Sequence, residues 1–102
     1  MIMKMIYAII RPEKENEVVA SLERGGIYPY TRLAVSGRGR QRGIQVGPVR
    51  YEEIAKISLM LVVEDADVER VVETIQIAAC TGNPGDGKIF ISTLTEALAI
   101  RK

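Results

Sequence analysis

Two stretches of this 102-residue chain gather residue types suited to holding an anion. The first runs Gly37-Arg38-Gly39-Arg40-Gln41-Arg42-Gly43. Glycines there let the backbone come close to a ligand and take up positive φ. Alternating arginines supply charge-assisted donors for phosphate or carboxylate. Taken alone, the pattern fits a small RGG-like nucleic-acid patch equally well. It opens a 19-residue span, Gly37 to Ala55, with four glycines, one proline and no clear apolar period. Connections longer than ~12–15 residues with no structure of their own are usually functional or disordered.

The second stretch is Thr81-Gly82-Asn83-Pro84-Gly85-Asp86-Gly87-Lys88-Ile89-Phe90. Gly82, Gly87 and Lys88 match the G-x-x-x-x-G-K opening of a P-loop. The match then fails. Ile89 stands where a Ser or Thr would bind magnesium, and the segment leads from a helix into a strand, the reverse of the P-loop order. Two readings remain. One is a plain helix-to-strand turn with Asp86-Gly87 at its tip. The other is a nest of backbone N–H groups beside one lysine.

Composition narrows the chemistry. The chain has no histidine and a single cysteine, Cys80. Without histidine there is no Ser-His-Asp triad, and the commonest metal ligand is missing. One cysteine forms no internal disulfide, so nothing points to secretion and a cytoplasmic location is expected. Cys80 itself reads as a packed small side chain. A formal net charge of +1 suits neither a general nucleic-acid binder nor a membrane-surface protein. Glu64, Asp65 and Asp67 read as a solvated helix start rather than a metal site. No apolar run reaches the ~18 residues of a membrane-spanning helix. Met1 to Ile10, whose only charge is Lys4, reads as a strand and not a signal peptide. Met1, Met3 and Met5 are accordingly strand and core residues. A chain of this length makes one domain with a single core, so a site between subunits is worth expecting.

The elements that must position these residues follow from periodicity. Ile2 to Ile10 is a strand covered on both faces. Pro12 suits a first helical position. Val18, Val19 and Leu22 recur at helical spacing until Gly25-Gly26 stops the helix. Ile27 to Ser36 alternates as a second strand, and Lys56 to Val63 is an apolar third. Asp65 or Asp67 can cap a second helix, with Val68, Val71, Val72, Ile75 and Ala79 as its apolar stripe. Ile89 to Ile91 opens a fourth strand, and a short tail strand is expected at Leu98 to Ile100. The order β-α-β-β-α-β is the α+β, ferredoxin-like split βαβ. It puts both helices on one face of an antiparallel sheet. The other face, apolar along the first and third strands, calls for cover by oligomerisation.

In these places together, the chain resembles the PII nitrogen-regulatory signal-transduction family, along essentially its whole length. Ala8-Ile9-Ile10-Arg11-Pro12 is similar to the family's opening. Gly37 to Gly43 is similar to the start of its long T-loop, here about 37–55. Thr81-Gly82 with Gly85 to Phe90 is similar to its B-loop, here about 81–88. The short loop around Gly43-Ile44-Gln45-Val46-Gly47 resembles the subgroup associated with nitrogen fixation.

The resemblance implies a homotrimer with a nucleotide site in each cleft between subunits. Gly85, Asp86, Gly87 and Lys88 would cradle the phosphates of ATP or ADP, with Arg40 and Arg101 reaching them from the loop and the tail. Ile9, Thr31, Gly37, Gly39 and Val62 would line the nucleotide. Gln41 would coordinate the Mg2+ that links ATP to 2-oxoglutarate, and Lys56 would pair with a 2-oxoglutarate carboxylate. ATP carries about four negative charges, so cations from several elements and backbone donors would share it. The implied role is regulation, with the T-loop contacting nitrogenase, a PII-like paralogue or another nitrogen-metabolism target.

Departures from the family pattern are Met60 in place of a common glutamate, Ala99 in place of a common arginine, and an end at Arg101-Lys102 where relatives continue. Tyr51 lies five residues before Lys56, which is not the spacing of the tyrosine that some relatives uridylylate. An acyl- or phosphoryl-transfer enzyme is disfavoured by the lack of histidine and of paired carboxylates. A small RNA-binding ferredoxin-like module lacks the aromatic ladder that stacks bases.

Overall fold

The computed structural model describes residues 2–38, 44–46, 48–51 and 53–101. Strand β1 (Met3–Ile10) leads through a short 3₁₀ turn at Pro12–Lys14 into helix α1 (Glu15–Arg24). Strand β2 (Thr31–Gly37) follows, then β3 (Ile44–Val46), β4 (Val49–Tyr51) and the long β5 (Ile54–Glu64). A second 3₁₀ turn, Asp65–Asp67, leads into α2 (Val68–Ala79), and β6 (Gly87–Leu94) closes the order. The main sheet is four-stranded, antiparallel throughout, in the order β2-β5-β1-β6. This is the ferredoxin-like split βαβ that the periodicity predicted.

Alternation sorts each central strand into two faces. Ile6, Ala8 and Ile10 of β1 and Ile57, Leu59, Leu61 and Val63 of β5 form one face of the core. Val18 and Leu22 of α1 and Val71, Ile75 and Ala79 of α2 pack onto it. Val68 and Val72, the rest of the expected stripe, are partly buried against it. Among the described residues no helix covers the opposite sheet face. Register sets Leu33, Ser58, Ile9 and Lys88 in one row across it, and Thr31, Met60, Tyr7 and Phe90 in the next.

α1 ends in a Schellman motif. Gly26 takes φ +83°, its N–H donates to the Glu23 carbonyl, and the Ile27 N–H donates to the Leu22 carbonyl at 2.9 Å. Arg70 of α2 donates to the Gly25 carbonyl at 2.8 Å, joining the two helices at this end.

Several boundaries differ from the sequence expectation. β2 starts at Thr31 rather than Ile27, because Pro29 has no N–H for a ladder and restricts Tyr28 before it. The span expected to lack structure holds the hairpin β3–β4, with Ile44 opposite Tyr51 and Val46 opposite Val49. Three-residue strands are too short to show an alternation. β5 begins at Ile54, two residues before Lys56, because Gly37 still pairs with Ile54. Asp67 stands at the N-cap of α2 but makes no capping bond, and its carboxylate accepts from Arg70 instead. The expected tail strand at Leu98 to Ile100 does not form, and both side chains are exposed. Among the described residues no helix is long and apolar enough to cross a membrane.

Candidate functional site

α2 ends at Ala79, and the chain must turn to bring Gly87 opposite Ile10. Gly82, Gly85 and Gly87 take positive φ along the way, at 85°, 92° and 125°. At Gly87 there is no alternative residue, since a Cβ would lie 1.8 Å from the Ile9 carbonyl oxygen.

Asp86 holds the turn from inside. Its Oδ2 accepts from the Thr81 N–H at 2.8 Å and the Gly82 N–H at 3.0 Å. Its Oδ1 accepts from the Thr81 hydroxyl and from Arg11 Nε, the latter at 2.9 Å. The Asn83 N–H donates to the Thr81 hydroxyl oxygen at 3.1 Å. The Thr81 hydroxyl first, then the Arg11 guanidinium, hold the Asp86 carboxyl well below the usual carboxylate range. Asp86 was expected in the phosphate cradle. Its carboxylate oxygens are occupied within the turn, which leaves its backbone N–H as the group that could meet a phosphate.

Two cations grip the turn, and a third, Lys88, follows it on β6. Arg11, just past β1, donates from Nη2 to the Pro84 carbonyl at 2.8 Å as well as to Asp86. Lys56 on β5 donates to the Gly85 carbonyl. Partial burial pushes the Lys56 ammonium pKa down, and nearby Arg11 adds to that, while Glu13 and Asp86 act against it. A carboxylate ligand would offset this cost. Lys88 lies exposed on the open sheet face, opposite Ile9. Behind the turn, between α2 and β6, lies a cavity of about 480 Å³ whose lining includes Ile75, Ala79, Cys80 and Lys88. Cys80, expected to be packed, is exposed, because the chain leaves the helix in extended conformation at that residue.

The structure thus brings together Ile9, Lys56, Gly85, Asp86, Gly87 and Lys88. Gly37 lies at the same end of the sheet, where the long loop leaves β2. Thr31 and Val62 do not join them. Thr31 and Lys88 stand on opposite edge strands, three strand spacings or about 14 Å apart. Val62 lies further along the open face, opposite Met5. Arg101 is exposed in the tail. Gly39, Arg40 and Gln41 lie outside the described residues. Among the described residues no group of three acidic or cysteine side chains is placed to hold a metal ion.

Arg11 was not among the expected site residues. Its signal in the sequence was its place directly after a strand and before Pro12, which fixes where the side chain starts but not what it meets. Its partners, Pro84 and Asp86, are 73 and 75 residues away.

The model of the family described as nitrogen regulatory protein P-II matches residues 3–102. A Methanosarcina barkeri protein named nitrogen fixation nifHD2 region GlnB-like protein 1 is 49% identical over 98 residues, covering 96% of this chain and 93% of that protein. Nitrogen regulatory protein P-II 2 of Methanothermobacter thermautotrophicus is 48% identical over 103 residues, covering 97% and 90%. The crystal structure of Arabidopsis thaliana PII bound to citrate superposes with a TM-score of 0.82 at 31% identity, covering 98% of this chain and 84% of that one.

Proposed function

This chain belongs to the nitrogen regulatory P-II family, whose members are regulatory signalling proteins and not enzymes, and we propose that it senses ATP or ADP together with 2-oxoglutarate. Its relatives from nitrogen-fixation regions set it with that subgroup. The observation that carries the ligand reading is the grip of Arg11 and Lys56 on a turn already shaped by Asp86, which leads directly into Lys88 on β6. That turn lies at the end of the sheet where the T-loop begins. Phosphates would meet backbone N–H groups and Lys88, and a dicarboxylate would meet Lys56, whose depressed pKa a counter-anion relieves.

The site is shared between subunits in this reading. Thr31 and Lys88 stand on opposite edge strands of one chain's sheet, and the open face between them exposes Leu33, Val62 and Phe90. A homotrimer that sets one subunit's β2 edge beside the next one's B-loop would unite them, with Arg101 reaching in from the tail. Magnesium would enter with the nucleotide. The described residues offer it no cluster of their own, whereas the phosphates and the amide oxygen of Gln41 are the hard donors it prefers. The bound ligand then sets the order of the T-loop, and that loop docks on or leaves a target. Nitrogenase, a PII-like paralogue or another nitrogen-metabolism protein is the target, acting in the cytoplasm.

Calorimetry with ATP, ADP and 2-oxoglutarate, alone and combined, tests this. Binding of 2-oxoglutarate is expected to be strong with MgATP and weak with ADP or no nucleotide. By reciprocity it tightens ATP by the same factor, about 5–150-fold. Gln41→Ala removes that coupling and leaves much of the ATP affinity. Equal 2-oxoglutarate affinity under all conditions overturns the proposed sensing of both ligands.

A further inference from the structure

Resting on the reading of this turn as a phosphate site, we propose that Arg11 and Lys56 act as a pair of positioning residues that aim its N–H groups outward. Arg11 Nη2 holds the Pro84 carbonyl and Lys56 holds the Gly85 carbonyl, both from the sheet side. The peptide bonds concerned are trans. In a trans peptide the carbonyl and the N–H of the following residue point in opposite directions. Pulling the Pro84 and Gly85 carbonyls toward the sheet therefore turns the Gly85 and Asp86 N–H groups away from it. Neither N–H has an acceptor among the described residues. Gly85 takes φ +92°, the left-handed conformation that lets successive N–H groups face the same way. Two adjacent donors are thus aimed at one point outside the turn, which is what an anion nest requires.

Arg11 suits the task by geometry as well as charge. Its planar guanidinium spans Asp86 Oδ1 and the Pro84 carbonyl at the same time, fixing side chain and backbone of the turn relative to each other. Lysine presents a single ammonium on a flexible stem and cannot reproduce that fork. Lys56 has three N–H donors and uses one on Gly85. It can therefore keep its grip on the turn while another donor meets a carboxylate.

The test follows Gly85 and Asp86 amide resonances by NMR while ATP, or inorganic triphosphate, is added to the assembled protein. In the wild type both amide protons are expected to move downfield on binding. Arg11→Lys is expected to lose on the order of tenfold in affinity for both probes and to lose these two shifts, with its assembly state unchanged by light scattering. Lys56→Met gives a second, independent reading and is expected to weaken the Asp86 shift more than the Gly85 shift. Wild-type affinity in Arg11→Lys would overturn the proposal, because charge alone would then suffice. So would ATP binding that leaves both wild-type amides unmoved, although the nucleotide reading would survive. If triphosphate binds with the expected shifts but ATP does not, the aimed nest stands and the nucleotide reading falls. If neither probe binds, both fall.

Discussion

Gly87 and Asp86 are adjacent, yet each constrains the B-loop in a different way. At Gly87 a Cβ would collide with the Ile9 carbonyl, and the φ of +125° is strained for any other residue. Gly87→Ala is expected to cost about 1–3 kcal/mol from the backbone strain alone, and urea unfolding measures it. At Asp86 the constraint is electrostatic. A carboxyl with a depressed pKa stabilises the fold fully above its unfolded pKa of about 3.9, and the contribution is lost as pH falls through the folded value. The Thr81 and Gly82 amide resonances, which report on the bonds to Asp86, are therefore expected to hold steady from neutral pH down to about 4.5 and to move only in stronger acid. A transition near pH 6 would show that Asp86 is not the anchor. Lys88 lies outside that network. Lys88→Ala is expected to weaken ATP binding by about 1.5–3 kcal/mol, the range for a charge-assisted contact, while leaving Asp86 and the turn in place. Unchanged affinity in a correctly assembled mutant would remove Lys88 from the phosphate site.

The helices and the hairpin show how different elements use the same residue types. Gly26 also takes positive φ, but a Cβ there meets nothing within 4 Å. Gly26→Ala is therefore expected to cost about 1 kcal/mol, the conformational part only, and less than Gly87→Ala by the same urea measurement. Equal costs would mean that the contact with Ile9 is relieved by a small shift. The β3–β4 hairpin has two three-residue strands and, among the described residues, is paired to no strand of the main sheet. Such hairpins are marginal on their own. α2 lies at the opposite extreme, with Val71 and Ile75 fully buried in the core. It gives the B-loop a rigid end from which to turn.

For the whole molecule, the open sheet face is the main feature left without cover. Leu33 is 51% exposed, Phe90 50% and Val62 43% in the isolated chain, and all three share that face with Met5 and Tyr7. Exposed apolar surface of this kind marks an interaction site. Light scattering is expected to give about three times the 11.3 kDa chain mass. Tyr7→Glu, at the centre of the face, is expected to reduce that to the single-chain mass while circular dichroism still shows both helices. A trimer unaffected by Tyr7→Glu would move the interface off this face.

The sequence by itself determined the fold class, the apolar stripes of both helices and the two loops that matter, because those depend on local periodicity and on glycine spacing. Val71 and Ile75 announce their burial by helical repeat and Gly25-Gly26 announces the stop of α1, whereas Ile6 and Ile57 lie in runs apolar on both faces, so only the structure shows that they face the helices. The B-loop and T-loop were legible through the resemblance their motifs carry, and the family match bears out the fold and the family. What only the tertiary structure decided is how distant residues meet. The hairpin within the T-loop depends on pairing between strands too short to show a period. The grip of Arg11 on Pro84 and Asp86, and of Lys56 on Gly85, joins positions far apart in the chain through the register of β1 with β6 and of β1 with β5. A residue's type says what it can donate or accept, whereas the folded backbone decides which partner stands at bonding distance.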